Sequence, residues 1–126
     1  MKSKLKQLTK AEEQVMQHLW ELERGFVKDI LTRFEEPKPA YNTVSTIVRI
    51  LEEKGFVAYE AYGKTHQYYP LISKEEYSRF TASNLLKGYF NGSAKELVSF
   101  FLKDRKLDVS DLDEILKELS QKENKS

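Results

Sequence analysis

Two prolines in three residues, Pro37 and Pro39, forbid a continuous helix through the first third of this chain. Proline has no amide hydrogen and disfavours a helical residue before it, so Glu35-Glu36-Pro37-Lys38-Pro39 runs extended. A new helix has to start beyond it, and Lys54-Gly55 supplies the left-handed cap that ends one. Within Tyr41 to Gly55, the residues Val44, Ile47, Val48 and Leu51 fall at i, i+3, i+4 and i+7 and form one apolar stripe. The opposite side carries Asn42, Ser45, Thr46 and Arg49. The first two turns have almost no charge, although 33% of the whole chain is charged. Short hydroxyls and amides with one guanidinium suit close approach to another polar surface, such as base edges and phosphates in a major groove. The plainer alternative is a half-buried helix with a neutral face.

The elements on either side narrow the choice. Thr9-Lys-Ala-Glu12 reads as a capping box opening a first helix. Ala11, Val15, Leu19 and Leu22 then repeat at helical spacing, with Met16 and Trp20 widening the stripe, and Arg24-Gly25 ends it. Val27, Ile30, Leu31 and Phe34 predict a short second helix. After the third helix, residues 56–62 and 65–71 are β-rich runs around Gly63-Lys64, which predicts a hairpin with Pro70 tolerated at a strand end. Three short helices followed by a hairpin are the winged-helix arrangement, in which the second and third helices form a helix-turn-helix. In that frame the neutral face of the third helix points outward.

Beyond Leu71 the pattern is purely helical. Ser73-Lys-Glu-Glu76, Ser93-Ala-Lys-Glu96 and Ser110-Asp-Leu-Asp113 each read as a helix start, and Gly88 and Gly92 bracket a break. Large apolar residues follow each start: Tyr77, Phe80, Leu85 and Tyr89, then Leu97, Val98, Phe100, Phe101 and Leu102, then Leu112, Ile115, Leu116 and Leu119. Three short helices have little chain from which to build a core of their own. Packing against a second copy is the economical solution, with Tyr77, Phe80, Leu85, Leu97, Phe101, Leu112, Ile115, Leu116 and Leu119 as interface candidates. Folding back on the winged helix as a monomer is the alternative. The expected organisation is a mainly α chain with a small β-hairpin wing: residues 1–72 a winged helix-turn-helix domain, 73–122 a helical dimerisation region, and 123–126 a polar tail that frays.

Composition excludes more than it assigns. The absence of cysteine removes disulfides, thiolate metal sites and Cys nucleophiles together. Met1 to Lys6 is basic but lacks the apolar run of a signal peptide, and no segment approaches the ~20 apolar residues of a membrane span. A cytoplasmic protein without direct membrane association is the expectation. Residues 1–72 carry eleven Lys/Arg against ten Asp/Glu, so no part of the chain is a broadly basic domain. His18 and His66 are isolated and form no metal pattern, although His66 could touch a phosphate, and Glu52-Glu53-Lys54 reads as a solvated helix end. No phosphate loop, nucleophile elbow or catalytic carboxylate pair stands out, so neither an enzyme nor a cofactor is expected.

The chain resembles the penicillinase-repressor family from about Leu8 to Leu119. The likeness rests on Leu-Thr-Lys-Ala-Glu-Glu-Gln-Val-Met at 8–16 with Trp20, on residues 41–56, and on Tyr68-Tyr69-Pro70 closing the wing. It implies a homodimeric repressor of a palindromic double-stranded operator. In that family the hydroxyl and amide positions of the third helix meet DNA; carried over, these are Asn42, Thr43, Ser45, Thr46 and Arg49, with Tyr41 near a phosphate and Lys64 and Thr65 adding backbone contacts from the wing. Two departures stand out. The antibiotic-resistance branch is inactivated by cleavage of an Asn-Phe bond, where this chain has Phe100-Phe101. Cleavage at that position by a membrane sensor protease is left open. The copper-responsive branch uses a cysteine-rich tail, and this chain has no cysteine.

Two readings from other classes stay open beside this one. The neutral third-helix face would equally serve a winged-helix module that docks protein without specific DNA binding. A small-ligand-responsive regulator would need a cavity between the wing and the dimer helices.

Overall fold

Thr9 opens α1 (Lys10–Leu22) as its sequence requires. Its hydroxyl accepts the Glu12 amide at 3.2 Å, and the Glu12 carboxylate accepts the Thr9 amide at 3.0 Å. The computed structural model from which this geometry is taken describes residues 5–124. The basic start (residues 1–4) and the last two residues of the expected tail lie outside the described residues.

Val15, Met16 and Leu19 of α1 are fully buried, but Ala11, expected to begin their stripe, is exposed. Glu12 takes the inward position instead, because its carboxylate both closes the cap and receives Lys54 Nζ at 2.7 Å. The helix stops at Leu22, before Arg24-Gly25. Gly25 serves the hairpin. Its amide donates to the Tyr68 carbonyl at 2.9 Å, and its carbonyl accepts the Tyr68 amide at 2.8 Å. A Cβ there would lie 3.2 Å from the Leu22 side chain and 3.4 Å from Asp29 Cβ, so the packing of these two side chains around the backbone favours glycine.

The second helix, α2 (Val27–Thr32), ends short of Phe34, whose ring packs edge-on against His18. Lys38, between the two prolines, donates to the carbonyls of Leu31, Thr32 and Phe34 and so caps the end of the preceding helix. Then α3 (Tyr41–Glu53) buries Val44, Val48 and Leu51 completely, with Ile47 at the edge. Burying such side chains contributes about 1.5–3 kcal/mol each. At its end the Phe56 amide reaches the Leu51 carbonyl, the Gly55 amide reaches that of Glu52, and Gly55 has φ 84°. This is the two-bond Schellman closure that requires a left-handed residue.

Strands β1 (Val57–Tyr62) and β2 (Thr65–Pro70) pair antiparallel, with Val57 opposite Pro70 and Tyr62 opposite Thr65 across the Gly63-Lys64 turn. Phe56, Val57 and Tyr68 face the core; the tip is exposed. The winged-helix arrangement with a helical C-terminal part is therefore the observed fold.

The first compact unit runs from Met1 to Thr81, past the expected end at residue 72. The cause is Tyr77 in α4 (Lys74–Tyr89), which packs edge-on against Phe56, accepts the Leu8 amide at 3.0 Å and donates to Glu13 Oε2 at 3.1 Å. Trp20 Nε1 fixes the approach to α4 by donating to the Ile72 carbonyl at 2.9 Å. Tyr77, expected among the dimer contacts, is only 5% exposed and belongs to this core. Phe80 packs beside it, half-buried.

The second unit, Ala82–Ser126, contains the end of α4, α5 (Ala94–Lys103) and α6 (Val109–Asn124). Gly88 lies inside α4, and the break falls at Asn91-Gly92, both with positive φ. Ser93 caps α5 through the Glu96 amide. The cap of α6 is Asp108 rather than Ser110: Asp108 and Asp111 exchange backbone and carboxylate hydrogen bonds, so the helix begins one residue before Ser110. It continues to Asn124, through residues expected to fray.

The Glu12–Lys54 pair yields a stability prediction. Burial raises the Glu12 carboxyl's pKa, but hydrogen bonds from Lys54 and the Thr9 amide, with the charge of Lys54, outweigh it and hold the carboxyl below its ordinary value. A depressed folded-state pKa contributes stability that is present above the unfolded-state value and lost as pH falls through the folded one. Glu12→Gln should cost about 1–3 kcal/mol at neutral pH in denaturant unfolding of the full chain. Its deficit should shrink as the solution is acidified through the Glu12 titration; a deficit independent of pH would contradict the role given to the charge.

Candidate nucleic-acid interface

With Val44, Val48 and Leu51 turned inward, the geometry of a helix leaves Tyr41, Asn42, Thr43, Thr46 and Arg49 exposed and Ser45 half-buried. The Arg49 guanidinium leans back along the helix and donates to Ser45 Oγ at 3.4 Å. At the wing tip Lys64 and Thr65 are exposed, and the Thr65 hydroxyl donates to the Tyr62 carbonyl at 2.9 Å. The wing thereby presents its turn in a fixed shape.

Between α3, the start of α2 and the wing lies an open cleft of about 580 Å³. It brings together five of the eight residues expected to meet DNA: Tyr41, Ser45, Arg49, Lys64 and Thr65. Asn42 and Thr46 are on the exposed side of α3 but outside this lining, and Thr43 lines a separate hollow beside α1. The cleft also contains residues that sequence reasoning did not place there. Lys28 contributes a cation from α2, and Glu52 contributes a carboxylate from the last turn of α3. His66, expected from the sequence to play a structural or surface role, stacks flat on Tyr59 with ring centres 3.9 Å apart and an interplanar angle of 5°.

Two periodicities carry these additions. Ser45, Arg49 and Glu52 stand at i, i+4 and i+7, one stripe on the helix surface. In the hairpin, Tyr59 is opposite Tyr68 and Ala61 is opposite His66, so Tyr59 and His66 are diagonal neighbours on one face. Lys28 has no such signal, since its position depends on how α2 packs.

The local charge balance differs from that of the chain. Lys28, Arg49 and Lys64 line the cleft with the single carboxylate of Glu52, whereas the first 72 residues are almost neutral. At the cleft wall, burial raises the Tyr68 phenol's pKa and Glu52 adds to that, while Arg49 opposes it. The phenol is thus a neutral hydrogen-bonding group. On the flank of the wing, Arg24 pairs with Glu60 at 3.2 Å and lies 4.9 Å over the Tyr69 ring, which assigns it to holding the hairpin.

In the second unit Leu97 and Leu112 are half-buried, whereas Leu85, Phe101, Ile115, Leu116 and Leu119 are exposed. Phe100, the other residue at the candidate cleavage position, is also exposed. His18 packs against Phe34, and among the described residues no group of three His, Asp or Glu side chains could hold a metal ion. No helix among them is long and apolar enough to cross a membrane.

The model of the penicillinase repressor family matches residues 8–121. The methicillin resistance regulatory protein MecI of Staphylococcus aureus is 24% identical over 123 residues, covering 97% of this chain and all of that protein. MecI of Mammaliicoccus sciuri is also 24% identical over the same length. The penicillinase repressor of Bacillus licheniformis is 22% identical, covering 97% of this chain and 96% of its own. The chain belongs to the penicillinase repressor family, whose members are DNA-binding regulators rather than enzymes.

Proposed function

We propose that this chain is a homodimeric repressor that binds a two-fold symmetric operator, reading bases with α3 and holding the backbone with the wing. The observation that carries the reading is the cleft in which α3, α2 and the wing converge three cations on the exposed side of a helix rich in short polar groups. Asn42, Ser45, Thr46 and Arg49 are the candidates for base edges; Tyr41, Thr43, Lys64 and Thr65 are the candidates for phosphates. Phosphate contacts set the register, and only groove-facing side chains specify sequence.

Dimerisation is supported by the second unit, where none of the residues 82–121 is buried in the single chain. Tyr89 is 80% exposed and Leu116 57%, far more apolar surface than a small helical unit leaves in water without a partner. A second copy related by two-fold symmetry would cover Leu85, Leu97, Phe101, Leu112, Ile115, Leu116 and Leu119. Two such readers dock in major grooves about one helical turn, or a multiple, apart, and repression follows by occluding polymerase. Relief by proteolysis would act at Phe100–Phe101, because a cut there severs α6 and its apolar face from the DNA-reading unit. A sensor protease is the partner this step requires.

The near-neutral charge of residues 1–72 favours one rival, a protein-docking module using the same α3 face. Arg49→Ala and Thr46→Ala distinguish the two. Each should weaken operator binding by about 1–3 kcal/mol in a titration at fixed salt; unchanged affinity in both variants would remove α3 from the interface. For the dimer, replacing Leu116 and Leu119 together with Asp should give a monomer by light scattering. A variant that remains dimeric at micromolar concentration would place the contact elsewhere.

A further inference from the structure

Glu52 is the one acidic side chain among the residues that line the cleft, and it faces the same space as Lys28, Arg49 and Lys64. It is exposed, and among the described residues no Lys, Arg or His forms an ion pair with it. Its charge is felt at the cleft wall, where it acts on the Tyr68 phenol in the opposite sense to Arg49. Its neighbour Glu53 is also exposed but does not line the cleft. An uncompensated carboxylate in a phosphate-binding cleft costs affinity wherever a phosphate comes near it. Specificity is a difference between affinities, and a repulsive group that acts more on the wrong partner than on the right one enlarges it.

We propose that Glu52 is a specificity-determining residue that weakens attachment to arbitrary DNA more than attachment to the operator; the inference rests on the DNA-reading assignment of α3. On an operator, base contacts from α3, Arg49 among them, fix one register, and the backbone settles on Lys28 and Lys64. On arbitrary sequence the duplex samples many registers, and its phosphates pass through the whole cleft, including the space before Glu52. Sequence-independent binding consists almost entirely of such phosphate contacts, so it bears the repulsion in full.

The test compares wild type, Glu52→Gln and Glu53→Gln as full chains on two duplexes: one recovered by the wild type from a randomised pool, and one of arbitrary sequence and equal length. The expected result is that Glu52→Gln binds the arbitrary duplex roughly fivefold more tightly at low salt. Its affinity for the selected duplex should change less, and Glu53→Gln should stay close to wild type on both. Equal tightening on both duplexes, or no more tightening than Glu53→Gln shows, would overturn the proposal while leaving the DNA-reading assignment intact. A folded wild type that selects no duplex and binds neither would overturn that assignment, and this inference with it.

Discussion

Lys54 reaches Glu12 across 2.7 Å, and through that contact the end of α3 is tied to the start of α1. The pair is largely withdrawn from water, with the Glu12 side chain 7% exposed and that of Lys54 23%. Removing one partner of such a pair leaves a charge without compensation, a larger penalty than the pair's net contribution. The same carboxylate closes the α1 capping box, so one group fixes where α1 begins and holds the end of α3 against it. Phe56 and Val57 follow the Schellman closure directly into β1, so the wing departs from the anchored end of α3.

The second constraint is Tyr77. Its ring fills the core beside Phe56, and its hydroxyl joins the Leu8 amide to Glu13. The first turns of α4 are consequently part of the first compact unit. What the remaining C-terminal helices offer instead is exposed apolar surface, the observation on which the proposed dimer rests.

Much of this was legible in the residues. The stripe of Val44, Ile47, Val48 and Leu51, the proline break before it and the hairpin around Gly63-Lys64 depend on local periodicity and backbone chemistry, and each stands where those rules put it. What escaped depends on tertiary packing. Glu12 faces inward because its partner is 42 positions away, and Gly25 serves the hairpin because Tyr68 returns beside it. Tyr77 looks like any aromatic residue on an amphipathic helix until Phe56 and Leu8 are seen around it. Ser110 lost the α6 cap to Asp108, an equally good capping residue that sits earlier in the chain and has Asp111 to reciprocate. The cleft follows the same division: Arg49 and Lys64 could be named from the chain, whereas Lys28 needed the packing of α2.

A symmetric DNA site held by the α3 face and the wing should be visible in a footprint of the purified protein on the DNA upstream of its own gene, taken at two salt concentrations. The predicted result is a two-fold symmetric protected site whose occupancy falls as salt rises, because phosphate contacts release counterions. A folded dimer that gives no protection at low salt would contradict it and turn the α3 face into a surface for protein.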